Sequence, residues 1–328
     1  MSRVAAVVLA LVALVLGACG GDDGSDRPAS TSSPAPPASA DVDFPSGGDK
    51  TMRALRSRAP EKAIFAPSVS QLRPGRNRIG FALFDEGRGQ VTPEAVAVYV
   101  SQADGRRLRG PFRARRESLR VKPQFMSRQT QADLDDVDSF WVADVTFPRR
   151  GRYVLTALAS IDGELASTSQ IEMRAGQRGG PPDVGDPAIR VETDTVESAG
   201  GDLESIDTRL PPLAELHEKS LADVLGKEPV VLAFATPQLC QTRVCGPVVD
   251  VVAQVKASTE GVTFIHQEIY AGNDINQGFR PQVARWALPT EPWTFLIDRD
   301  GKIVERFEGA LSVAELQRAV DEKLAPSS

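Results

Sequence analysis

Residues 220–259 read SLADVLGKEPVVLAFATPQLCQTRVCGPVVDVVAQVKAST. The run 230–235 is apolar without alternation, the mark of a strand covered on both faces. The segment 245–259 places Val248, Val249, Val252 and Val255 on one helical face. Two cysteines, Cys240 and Cys245, lie between strand and helix. Buried strand, cysteine pair, then helix is the order from which the rest of the chain is read.

Downstream, 262–269 predicts a strand, 279–287 a helix, and 293–297 with 303–307 two strands joined by Asp298-Arg299-Asp300-Gly301. Asp298 and Asp300 are explained by turn formation. Ser312 is placed to cap a final helix, with Glu315 completing a capping box and Leu311 stapled to Leu316. A β-α-β-α-β-β-α order predicts an α/β sheet with helices on both faces.

Upstream, 63–175 carries short strand signals. Residues 77–84 alternate Ile79, Phe81 and Leu83 against Arg78, Gly80 and Ala82. Further strands are expected at 95–100, 140–147, 153–159 and 167–173. Turn formers such as Asp104-Gly105 and Asp162-Gly163 separate them. Regular short strands without a helical period predict a β-sandwich. Residues 176–210, rich in Gly, Pro and acidic side chains, read as a linker.

At the N-terminus Arg3 precedes an apolar run, 4–16, too short to span a bilayer as a mature helix. Leu16-Gly17-Ala18-Cys19 follows, then Gly, Ser, Pro and Asp to about residue 49. Such a segment cannot bury enough apolar surface to offset its ordering entropy.

Leu16-Gly17-Ala18-Cys19 resembles the lipobox of bacterial lipoproteins. That resemblance implies a signal peptide at 1–18 and a diacylglycerol thioether on Cys19. Residues 19–54 become a disordered tether, and the chain sits on the extracytoplasmic face of the cell membrane. "LRPGRNRIGF" (72–81) with "FPRRGRYVL" (147–155) is similar to the immunoglobulin-like domains of exported proteins, covering 55–175.

Residues 211–328 resemble the thioredoxin superfamily, particularly its membrane-anchored branch. Cys245-Gly246-Pro247 matches the start of that family's Cys-Gly-Pro-Cys motif. "LPTEPWTFLIDRDGKI" (288–303) is similar to its cis-proline segment, with Pro292 in the proline position and Trp293 after it. Val248 replaces the second motif cysteine, and Ala233 stands where a buried acid is usual. The expected fold is thus multidomain: an all-β immunoglobulin-like sandwich followed by an α/β thioredoxin-like domain.

With Cys19 lipidated, Cys240 and Cys245 remain as a pair, and an oxidising compartment favours joining them. Closing so short a ring removes only about 2 kcal/mol of unfolded-state entropy, a weak staple for a domain with its own core. A sulfur at a helix N-terminus is instead favoured as thiolate, with Arg243 adding to this. The expectation is a thiol–disulfide oxidoreductase-like protein. Cys245 attacks, Cys240 resolves, and Pro292 and Trp293 contact a client dithiol or disulfide. No cofactor is required.

Two alternatives stay open. One is a non-catalytic surface binding lipoprotein with a structural disulfide. The other is a copper chaperone similar to the Sco family, with Cys240, Cys245 and His266 as ligands, a donor set suited to Cu(I). The peroxiredoxin motif fits less well: Pro237, Thr242 and Cys245 are one residue out of step.

The chain has 328 residues, is 41% hydrophobic and 25% charged, and carries a net charge of −6. That balance speaks against a nucleic-acid partner. A basic cluster (Arg106, Arg107, Arg109, Arg113, Arg115, Arg116) reads as a solvated strand or loop face.

Overall fold

The first eight strands form one sheet that closes on itself. They are β1 (Glu61–Pro67), β2 (Gly75–Phe84), β3 (Ala95–Gln102), β4 (Arg109–Ser118), β5 (Ser139–Phe147), β6 (Gly151–Ile161), β7 (Glu164–Thr168) and β8 (Ile171–Ala175). Their order is β3-β4-β5-β2-β1-β7-β6-β8, and β3 also pairs with β6. That pairing runs from Ala95 opposite Ser160 to Gln102 opposite Tyr153. Seven strands therefore make a closed barrel, with β8 appended to β6. It is a mixed barrel, because β1 runs parallel to β7. The computed structural model describes residues 41–132, 137–240 and 244–324.

Alternation fills the barrel as the sequence predicts. Ile79, Phe81 and Leu83 of β2 point inward, with Trp141, Ala143, Val145 and Phe147 of β5. The opposite face of these strands is also apolar at Ala82, Phe140 and Val142, and these pack with Val244 and Ala310 from the second half of the chain. The outer side of β2 and β5 is thus the surface on which the rest of the molecule rests.

The second sheet has four strands: β9 (Val230–Phe234), β10 (Thr263–Gln267), β11 (Trp293–Ile297) and β12 (Ile303–Glu308), in the order β10-β9-β11-β12. β9 and β10 are parallel, and the other pairings are antiparallel. Helix α4 (Cys245–Ala257) and helix α6 (Val313–Lys323) cover one face, with Val231, Ala233, Leu296 and Phe307 beneath them. Phe234, Phe295, Trp286 and Trp293 fill the other side. The remaining helices are short: α1 (Met52–Arg56), α2 (Arg128–Ala132), α3 (Leu221–Val224) and α5 (Pro281–Arg285).

This corrects the expected fold. The chain is predominantly β, a closed seven-stranded mixed barrel with a small second sheet and 21% helix. It is not an immunoglobulin-like sandwich followed by an α/β thioredoxin-like domain. Alternation and turn residues locate strands, but they do not say which edges meet. The β3–β6 closure joins strands more than fifty residues apart and removes the open edges of a sandwich. Beyond residue 211 the expected strands and helices are present as β9, α4, β10, β11, β12 and α6, but the helix expected over 279–287 is shortened to Pro281–Arg285.

The described residues belong to one compact unit, and two buried carboxylates and one close backbone approach lock its two sheets together. Glu315 receives two hydrogen bonds from Arg78, Nε to Oε1 at 2.9 Å and Nη2 to Oε2 at 2.7 Å, and one from Arg115 at 2.7 Å. Glu308 accepts from the backbone N–H groups of Ser70 and Gln71, from the Ser70 hydroxyl and from Thr290. At Gly309, with φ of 75°, a Cβ would lie 2.1 Å from the Ser68 carbonyl oxygen, so only glycine permits the approach.

Residues ahead of the barrel are packed too. Phe44 and Met52 join a cluster with Tyr99, and the Tyr99 hydroxyl donates to the Pro45 carbonyl at 2.7 Å. Residues ahead of the second sheet are packed as well: Pro187 bridges to Lys302, Val191 joins the core with Trp286 and Phe295, and Asp207, Thr208 and Arg209 are buried.

Candidate functional site

Helix α4 begins at Cys245 without a side-chain cap, since Val244 holds the N-cap position. Pro247 in the first turn has no N–H to offer. An uncapped start leaves backbone donors looking for an acceptor. The Cys245 N–H finds the Cys240 sulfur, at 3.3 Å. The two cysteines are joined as a disulfide with Cα atoms 5.9 Å apart.

Their environments differ. Cys245 is fully buried among Ala233, Ala235, Val248 and Val249. Cys240 is half-buried at the edge of the same cluster. Cys240 is therefore the less buried residue of the pair, and its sulfur accepts the helix N–H. The sequence placed both the nucleophile's role and the helix field on Cys245. Cys245 packs into the apolar cluster under α4, which leaves the residue one loop upstream the less buried of the two. Arg243, expected to assist, lies outside the described residues, as does Cys19.

Pro292 is preceded by a cis peptide bond. It is buried, and its carbonyl accepts from the Gly309 N–H at 2.8 Å. Trp293 is buried on the opposite face of the sheet from Cys245. It stacks on Phe295, lies under the Arg306 guanidinium and donates from Nε1 to Thr290.

A segment of the barrel reaches the cysteine-bearing helix. Between β4 and β5 the chain leaves the barrel, makes a short turn at Pro123–Phe125 and forms α2. Asp250 of α4 is its anchor. Asp250 Oδ2 accepts from the Ser127 N–H at 3.0 Å and the Thr130 hydroxyl at 2.8 Å, while Oδ1 accepts from Arg209 Nε at 2.9 Å. Arg209 also donates to the Phe125 and Pro211 carbonyls. Lys122 N–H donates to Gln254 one turn on. Burial pushes the Asp250 carboxyl up, and it prevails over the Ser127, Arg209 and Thr130 contacts that pull it down. Nothing at the sequence level marked Asp250, Arg209 or this arm.

His266 follows Phe264 by two residues on β10, and so shares the α4 side of the sheet. It is completely buried. Its Nε2 lies 3.1 Å from the Ala235 carbonyl and its Nδ1 3.6 Å from Asp207. It is grouped with Asp207 and His217, while the two sulfurs are bonded to each other. Burial disfavours an ionised Asp207, but His266 and His217 outweigh it and hold the carboxyl well below the usual range.

The basic cluster is largely absorbed by the fold. Arg115 bonds Glu117 and Glu315, Arg116 bonds the Ser139 hydroxyl, Arg109 bonds the Thr146 carbonyl, and Arg113 lies over Phe44. Among the described residues no helix is long and apolar enough to cross a membrane. No protein-family profile matches the chain, and no curated protein is significantly similar to it.

Proposed function

We propose that this chain is an extracytoplasmic protein, lipid-anchored through Cys19, that performs thiol–disulfide exchange at Cys240–Cys245. One observation carries the reading: the sulfur of Cys240, a half-buried residue, accepts the first backbone N–H of a thirteen-residue helix, while Cys245 is sealed. A structural staple gains nothing from one reachable sulfur. An exchange centre needs one, and needs its thiolate stabilised.

A client thiolate attacks Cys240 Sγ, the Cys240–Cys245 bond breaks, and Cys245 leaves as a thiolate that takes up a proton. The client's second thiolate then attacks its own sulfur in the mixed disulfide. Cys240 departs as a thiolate held by the Cys245 N–H. The client loses two electrons and the pair gains them; the reverse sequence reduces a client disulfide. Cys240 is the sulfur that meets the client, and Cys245 is the resolving group.

Turnover of a dithiol peptide in a glutathione buffer tests this. Cys240→Ser is expected to abolish exchange, and Cys245→Ser is expected to accumulate a mixed disulfide on Cys240. Wild-type protein that leaves the peptide unchanged at the uncatalysed rate would contradict the proposal and favour a structural disulfide. Anchoring is tested separately. Cys19→Ala is expected to move the mature chain from the membrane fraction to the soluble one; unchanged partitioning would exclude the lipid.

A further inference from the structure

The chain has two histidines, and both are fully buried against the same carboxylate. Asp207 comes from the irregular stretch before β9, His217 from the loop ahead of α3, and His266 from β10. Their ligand atoms all lie within 4.8 Å of one another.

The tautomers are set by the far side of each ring. His217 Nδ1 is 3.2 Å from the Asp194 carbonyl, and His266 Nε2 is 3.1 Å from the Ala235 carbonyl. A carbonyl only accepts, so each of those nitrogens carries the hydrogen. In a neutral ring the other nitrogen then bears a lone pair. Those are His217 Nε2 and His266 Nδ1, and both face Asp207, across 3.5 Å to Oδ2 and 3.6 Å to Oδ1. Neither has a hydrogen-bond partner. Glu268 Oε2, two residues beyond His266, is likewise buried and unpartnered, while Glu268 Oε1 accepts from Thr208.

Lone pairs aimed at a buried carboxylate demand a positive charge between them. Protons on both rings are one source, but charge-assisted N–H to carboxylate bonds close to roughly 2.7–2.9 Å. The observed gaps are wider. They suit a cation held by all three side chains: bonds of about 2.0–2.1 Å in a tetrahedral array put neighbouring donors about 3.3 Å apart. Imidazole hydrogen-bonded through its far nitrogen to a carbonyl is the usual way a metal-binding histidine is oriented. Sealed surroundings point to a structural ion rather than one that binds substrate.

We infer that Asp207, His217 and His266 form a binding site for a divalent transition ion of the zinc class, pinning residues 207–217 to β10. The donor set is nitrogen and oxygen and excludes the cysteines. The site is independent of the exchange chemistry at Cys240–Cys245.

The test uses the purified full chain stripped with a chelator and reloaded with Zn²⁺ or Co²⁺. One equivalent of zinc per chain is expected, as is a tetrahedral Co²⁺ spectrum without thiolate charge-transfer bands. The unfolding midpoint should rise by about 5–10 °C at a hundredfold excess over the dissociation constant. Cys240→Ser/Cys245→Ser must keep the metal, and His217→Gln or His266→Gln must lose it. Because those histidine variants could fail to fold, the wild-type stoichiometry and midpoint shift stand by themselves. Wild-type protein that binds less than a tenth of an equivalent and shows no midpoint shift overturns the site. So does metal that disappears with the cysteines.

Discussion

Asp250→Ala is expected to destabilise the folded chain by about 3–5 kcal/mol, read as a lowered urea midpoint. Three groups lose their acceptor at once: the Ser127 N–H, the Thr130 hydroxyl and Arg209 Nε. The Arg209 side chain is 3% exposed, so its charge would stay buried and unpaired. Deleting one partner of a buried pair costs far more than the pair contributes net. The raised Asp250 carboxyl fits that distinction, because burial already opposes its charge. Asp250→Asn keeps the shape and one acceptor oxygen and should cost less, about 1–2 kcal/mol. The arm over α4 should loosen in both variants, giving faster amide exchange at residues 122–130 than in the barrel. Equal exchange in arm and barrel would contradict the anchoring role.

Glu315→Gln is expected to weaken the union of barrel and second sheet by about 3 kcal/mol at neutral pH, at the lower end for a buried pair. Arg115 is 43% exposed and counts for little. Arg78, 17% exposed and set between the rings of Phe140 and Phe307, counts for most. Burial of Glu315 raises its carboxyl, but Arg78 and Arg115 outweigh burial and leave it lowered from 4.5. A depressed folded value means that the contribution is complete above about pH 4.5 and is lost as pH falls through the folded value. The stability gap between wild type and Glu315→Gln should therefore be full at pH 7 and shrink below pH 4.5. A gap that is constant from pH 7 to pH 3 would contradict the assignment.

Glu315 also shows how far the sequence could be read. Ser312 caps α6 as expected, accepting the Glu315 N–H at 3.0 Å. The reciprocal half of the capping box is absent. The Glu315 carboxylate turns to Arg78, and the Ser312 hydroxyl donates to Glu117 of β4 at 2.8 Å. A local motif was legible; its diversion to a partner 237 residues away was not.

The same holds elsewhere. Alternation at Ile79, Phe81 and Leu83 gave the inward face of β2, and the valine spacing gave the buried side of α4. Asp250 and Gln254 interrupt that helix with polar groups, and both are buried under the arm. Barrel closure depends on β3 meeting β6 and on β1 running parallel to β7, and no local pattern encodes either. For the site, the cysteine pair was visible because four residues separate the sulfurs. Asp207 and His217 were not, because they stand in irregular stretches and reach His266 only through the fold.

Reaction of the two single-cysteine variants with a small symmetrical disulfide, mapped by peptide mass, tests the exchange proposal most directly. Cys245→Ser should form an adduct on Cys240 within the mixing time of minutes, and Cys240→Ser should leave Cys245 at least tenfold slower. Equal rates, or faster modification of Cys245, would contradict the assignment of Cys240 as the sulfur that meets the client.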